Sequence, residues 1–250
     1  MNPARIVLAL LLFSSGALFA KAPAAFHYLA PDSVNLQTLL PAPPAPGSPE
    51  NKADIYGVLL VQQSRTPQDI ARARSEETFS PSAFANVLGS WFTPERLPVT
   101  FALLQNAAAD AEAISAAGKQ LWHRPRPPLQ DPAIHPVIAL PTSPSYPSGH
   151  AMRGALWAII LAKLAPELHD RILARGAQIG EDRVIAGVHF PTDRDAGQKL
   201  GSVLAARLLG NPAFQRDLAR AEAEFSSARP KPLSQNVPPS RHATMAMCSL

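Results

Sequence analysis

Three short segments hold the side chains that can do chemistry. The first is Lys119-Gln-Leu-Trp-His-Arg-Pro-Arg126-Pro127. Seven residues make nearly two helical turns, so Lys119 and Arg126 would share one face of an unbroken helix. Pro125 and Pro127 stop that helix and let Arg126 swing across its end. The second is Ser145-Tyr-Pro-Ser148-Gly149-His150, followed by an apolar stretch from Ala151 to Ala165. Ser148 is a candidate N-cap, which leaves the amides of Gly149 and His150 facing outward at the positive end of a helix dipole. Such amides bind anions, and Gly149 allows close backbone approach. The third is Arg183-Val-Ile-Ala-Gly-Val-His189-Phe-Pro-Thr-Asp193. Gly187 can end a helix whose last turn carries Arg183, and Pro191-Thr192 can open the next. Across that proline corner Asp193 can fold back onto His189, fix its tautomer and stabilise an imidazolium.

Each segment also has a plainer reading: a basic helix end, a capped helix with an exposed histidine, a capping aspartate beside a packed one. Together they supply three cations, an amide-lined helix start, two histidines and a carboxylate, an inventory for holding a tetrahedral oxyanion and transferring it. Arginine forks and a lysine neutralise the oxygens, one imidazole attacks, and the other protonates the leaving oxygen. The sequence has no HExxH, no DxDxDG loop and no paired carboxylates at metal spacing, and this chemistry needs no metal or other cofactor.

Helices must position these groups. Thr66-Pro67-Gln68-Asp69, Thr93-Pro94-Glu95 and Asn211-Pro212 each read as a helix start, the last followed by Phe214, Leu218 and Phe225 on one face. Leu104, Ala107, Ala108, Ala111, Ile114 and Leu121 fall at helical spacing between Phe101 and Trp122. Leu168, Ile172 and Ile179 mark another helix, and Val203, Leu204, Leu208 and Leu209 a further one. Period-two alternation is absent beyond a few residues, so the expected fold is all-α, a single helical domain over 51–228. Around it the sequence predicts a proline-rich surface arm over 21–50, of polyproline type, and a disordered tail over 229–250.

The chain has 250 residues, 46% apolar and 17% charged, with a net charge of +4. That length suits one ordinary domain. Its 27 prolines carry no repeat and read as loop and helix-start punctuation. Basic residues are scattered, which argues against a nucleic-acid partner. Cys248 is the single cysteine, so there is no internal disulfide and no CxxC site. Arg5, the apolar run Ile6 to Phe13 and the small residues up to Ala20 read as a signal peptide over 1–20, cut after Ala20 or alternatively after Ala24. An uncleaved anchor is the other reading, though the run is short for a span. A cut leader implies an exported protein, periplasmic or secreted, without stable membrane insertion afterwards.

Lys119-x6-Arg126-Pro127, Pro147-Ser148-Gly149-His150 and Arg183-x5-His189-x3-Asp193 resemble the tripartite motif of the type 2 phosphatidic acid phosphatase and vanadium haloperoxidase superfamily. Their order agrees, with 19 residues between the first two segments and 32 between His150 and Arg183. Within it the chain is similar to bacterial class A non-specific acid phosphatases over roughly residues 28 to 226, including Gly180-Glu181 and Asn211-Pro212-Ala213-Phe214. The resemblance implies an all-helical, metal-independent, broad-specificity acid phosphatase acting on small phosphate monoesters, often as a homodimer. By position, His189 would be the nucleophile forming a phosphohistidine, Asp193 its orienter and His150 the general acid. Lys119, Arg126, Arg183, Ser148 and Gly149 would bind phosphate. Two departures stand out. Asp182 replaces the family serine before Arg183, where it could tie up that guanidinium, and Ala151-Met152 replace hydroxyl residues after His150. The alternatives are a vanadium-dependent haloperoxidase, a phosphotransferase, or a phosphate-binding relative impaired by Asp182. Residues 80–91 and 129–145 are expected to face substrate.

Overall fold

Prolines start most of the helices. Residues 26–230 are described by a computed structural model, and within them every regular element is helical. In chain order these are α1 (Leu36–Leu39), α2 (Pro49–Ser64), α3 (Pro67–Ser75), α4 (Ala85–Leu88) and α5 (Pro98–Trp122). After them come α6 (Pro127–Gln130), α7 (Gly149–Leu164), α8 (His169–Ile185), α9 (Pro191–Leu209) and α10 (Pro212–Ala228). Six of these helices, and the three 3-10 turns at Pro31–Ser33, Pro81–Phe84 and Pro166–Leu168, carry proline in the first two positions. A missing N–H costs nothing there, which accounts for much of the proline content. Side chains finish several starts: Ser48 caps α2, Thr66 and Asp69 form a capping box on α3, and Asn211 caps α10.

The apolar helix α7 runs through the middle. Its Leu156, Trp157, Ile160 and Leu161 pack on Ile172 and Ile179 of α8, Leu200 and Leu204 of α9, and Ala107, Ala111 and Ile114 of α5. Phe214, Leu218, Ala221 and Phe225 of α10 close the far side over α5. Each such large side chain contributes about 1.5–3 kcal/mol when fully buried. Where α7 meets α8 and α9 the backbones nearly touch. A methyl at Gly154 would come within 2.5 Å of the Gly176 carbonyl, and one at Gly197 within 2.3 Å of the Ser148 carbonyl. This close approach presses the start of α7 against α9.

Three expectations need correction. Thr93-Pro94-Glu95 does not open a helix. It makes a single turn, with Leu97 N donating to Thr93 O, and α5 starts at Pro98 because a residue before proline is driven out of the helical region. The proline-rich stretch runs over the surface at 41–47, but the described residues before it are anchored. Leu29, Val34, Leu36 and Leu40 are buried, and Asp110 of α5 accepts the amides of His27, Tyr28 and Leu29 at 3.0, 2.7 and 3.0 Å. The helical body begins at Pro49 rather than 51. The leader expected over 1–20, Cys248 and the tail beyond residue 230 lie outside the described residues.

Candidate active site

α5 ends at Trp122 with His123 in a left-handed conformation, and the Arg124-Pro-Arg126-Pro stretch then crosses the helix end. Lys119 Nζ donates to Pro144 O at 2.6 Å, and Arg126 Nη2 reaches the same carbonyl at 3.4 Å. Arg126 is buried, donates to Ser143 O and Val188 O, and lies with Nη1 3.1 Å from His189 Nε2. On the other edge of the ring, His189 Nδ1 is 3.5 Å from Asp193 Oδ2. Since Arg126 can only donate, Nε2 is the acceptor and the ring proton sits on Nδ1, facing the carboxylate. Asp193 is fully buried at the start of α9 and accepts from Phe190 N at 2.9 Å and Ser145 Oγ at 2.5 Å.

A second group forms around one carbonyl. Glu76, the residue that ends α3, accepts through its backbone oxygen from His150 Nε2 at 3.1 Å and Arg183 Nη1 at 3.3 Å. Arg183 is almost completely buried on the last turn of α8, and its Nε is buried without an acceptor. A buried guanidinium with an unmet N–H favours an anion beside it. His150 stacks on Phe79 with ring centroids 4.8 Å apart. Ser148 is turned inward: its hydroxyl caps α7 at Ala151 N, 3.4 Å away. Nothing lies within 4 Å of a methyl built on Gly149, so the backbone there borders open space.

The two groups share one electrostatic environment. Burial, then Arg183, Arg153 and His189, lower His150 to about 2. Burial lowers His189 to about 3, with Arg126 and Lys119 adding to the fall and the Asp193 hydrogen bond opposing it. Burial and the neighbouring Arg126 bring Lys119 down to about 7. Burial also brings Arg126 down to about 10, with Arg183 adding to the fall and Asp193 opposing it. Asp193 is held below its ordinary value because its bonds to His189, Arg124 and Ser145 outweigh the burial that would raise it. Excess buried positive charge is what an anion would relieve.

A family model for the PAP2 superfamily matches residues 99–217. A non-specific acid phosphatase of Salmonella typhimurium is 32% identical over 209 residues, 78% of this chain and 82% of the relative. The chain belongs to the non-specific acid phosphatases of the PAP2 superfamily. A non-specific acid phosphatase of Providencia stuartii matches as well, 32% identical over 79% of this chain and 83% of that one. The solved structure of a bacterial vanadium-dependent iodoperoxidase superposes with a TM-score of 0.54 at 18% identity, over 68% of this chain and 51% of that one, a likeness of fold. Among the described residues of this phosphatase no helix is long and apolar enough to cross a membrane, and no group of three His, Cys, Asp or Glu side chains is arranged around a metal position.

In this phosphatase the site also uses residues that the sequence reading left without a role. Arg124 bridges Asp193 Oδ1 at 2.5 Å and Asp54 Oδ2 at 2.7 Å, both pairs buried, and lies over the Phe190 ring. Asp54, from α2, also accepts from Thr192 N at 3.2 Å and so caps α9. Ser145 holds the Asp193 oxygen that faces His189. Asp182 does not tie up Arg183, for its carboxylate pairs with Arg72. Of the stretches expected to face substrate, Ser143 and Pro144 meet the cations through their carbonyls, while Leu129 is 70% exposed.

Proposed function

We propose that this phosphatase is an exported, broad-specificity enzyme that hydrolyses small phosphate monoesters through a phosphohistidine on His189, without a metal ion. The arrangement at His189 carries the reading: Asp193 faces the Nδ1 proton and keeps it there, which leaves the Nε2 lone pair beside Arg126. Lys119, Arg126, Arg183 and the Gly149 amide neutralise the phosphoryl oxygens, with Ser148 shaping the start of α7. Nε2 attacks phosphorus, the P–O bond to the leaving group breaks, and that oxygen takes a proton from His150. Water then attacks the phosphohistidine, gives a proton to His150 and releases phosphate.

The charges explain work in acid. Burial, with Arg126 and Lys119 adding to it, holds His189 neutral down to about pH 3, so its lone pair survives where an ordinary imidazole is protonated. The dianion of a bound ester supplies the opposite charge and raises His150 far enough to carry its proton. The wild-type chain is assayed on aryl, sugar and nucleoside monophosphates at acid pH, with and without EDTA, beside peroxide-driven bromide oxidation with vanadate. Hydrolysis of several esters, untouched by EDTA, is expected. Loss of hydrolysis in EDTA, or halide oxidation in its place, overturns the reading.

A further inference from the structure

Asp182 stands one residue before Arg183 and is fully buried on α8. Arg72 of α3 donates Nε to its two oxygens at 2.9 and 3.0 Å, and Gln178 Nε2 adds a bond at 3.1 Å. Arg175 Nη1 lies 4.0 Å away. Arg175 in turn donates to the buried carboxylate of Glu76, and through Nε to Ala83 O at 3.0 Å, in the turn Pro81–Phe84. Arg72 also holds Asp69 at 2.8 Å, so three carboxylates and two guanidiniums interlock across α3, α8 and that turn. Glu76 is the joint. Its side chain belongs to this cluster, its amide donates to Arg72 O at 3.2 Å, and its carbonyl receives both His150 and Arg183.

We propose that Asp182, acting through Arg72 and Arg175, is a positioning residue that locks the end of α3 against α8, so that the Glu76 carbonyl aims His150 and Arg183 together at the transferring phosphoryl group. The proposal rests on the phosphoryl-transfer reading above. Asp182 turns to Arg72 and Glu76 to Arg175, which among the described residues leaves the guanidinium of Arg183 held by carbonyls of the end of α3 and free to meet an anion. A serine at 182 could accept one hydrogen bond but could not hold Arg72 through two oxygens. Arg72 is a third exposed and keeps Asp69, so losing Asp182 loosens the joint, whereas losing Arg72 takes the two-oxygen partner from a fully buried carboxylate.

The test compares Asp182→Asn, Arg72→Gln and the double variant with the parent, on p-nitrophenyl phosphate and on an alkyl phosphate, with inorganic phosphate as inhibitor. A misaimed general acid matters most for a poor leaving group. In Asp182→Asn, kcat should fall about tenfold on the alkyl ester and less than about threefold on the aryl ester, while the inhibition constant of phosphate rises about fivefold. The double variant should recover to within about threefold of the parent, since two facing amides can again join α3 to α8. A folded Asp182→Asn within about twofold of the parent in all three constants overturns the proposal, as do equal losses on both esters with unchanged inhibition. Should Asp182→Asn not fold, Arg72→Gln is judged by the same constants and the same criteria. A parent enzyme that hydrolyses neither ester would instead strike the phosphoryl-transfer reading.

Discussion

Lys119 reaches the site from the last turn of α5, and burial beside Arg126 brings its ammonium to about 7. A cation that helps to hold an anion works only while protonated. Its contribution is therefore whole well below that value and is lost as pH rises through it. Because kcat/KM reports the free enzyme, its alkaline limb should fall through about pH 7. Lys119→Arg keeps a charge that does not titrate there, so that limb should move upward even if the rate is lower. A pH profile of kcat/KM for both proteins checks this; an unmoved limb in the variant would assign it elsewhere. At this scale the sequence was legible where chemistry and spacing coincide, as in Arg183-x5-His189-x3-Asp193. It was not legible at Arg124. Two places from Arg126 and also next to a proline, it has no feature in the chain to say which guanidinium faces the anion. The answer lies with Asp54, whose side chain comes from 70 residues upstream.

Between helices, the glycines of α7, α8 and α9 set the spacing on which the site depends. A methyl at Gly197 would meet the Ser148 carbonyl at 2.3 Å, a backbone atom that cannot step aside without moving the start of α7. Gly197→Ala should therefore cost about 1–3 kcal/mol of unfolding free energy and lower kcat at the same time. Gly149→Ala makes the opposite case, since nothing lies within 4 Å of its added methyl. It should leave the melting temperature unchanged or slightly raised while weakening phosphate inhibition, because the methyl fills space that the anion uses. Urea melts and inhibition constants for the two variants decide the point; equal behaviour would contradict it. Helix starts were readable from the sequence through Thr66-Pro67 and Asn211-Pro212, since caps are local. The glycine contacts were not, because a helical glycine signals close approach only once its partner helix is known. Thr93-Pro94 misled for a related reason: the rule at its own position was satisfied, but Pro98 four residues later overruled it.

Across the described residues, the stretch before α2 and the site are joined. Asp110 in the middle of α5 gathers the amides of residues 27–29, and Tyr146, inside the second motif, donates its hydroxyl to Pro41 O at 2.6 Å. The proline-rich stretch, which composition alone sends to the surface, is thus tied to the same helices that carry Lys119 and Ser148. Acids bind the remaining parts: buried Asp54 joins α2 to the start of α9, and half-buried Glu224 of α10 accepts from Val99 N and Thr100 N at the start of α5. All these ties serve one claim, that remote segments are drawn together so that the Nε2 of His189 can take a phosphoryl group. Rapid quenching of the enzyme during turnover of a phosphorus-labelled ester, followed by peptide mapping in alkali, tests it most directly. The account predicts acid-labile, alkali-stable label on the peptide carrying His189, absent from His189→Ala; label on any other residue, or none during a verified steady state with rapid hydrolysis, would contradict it.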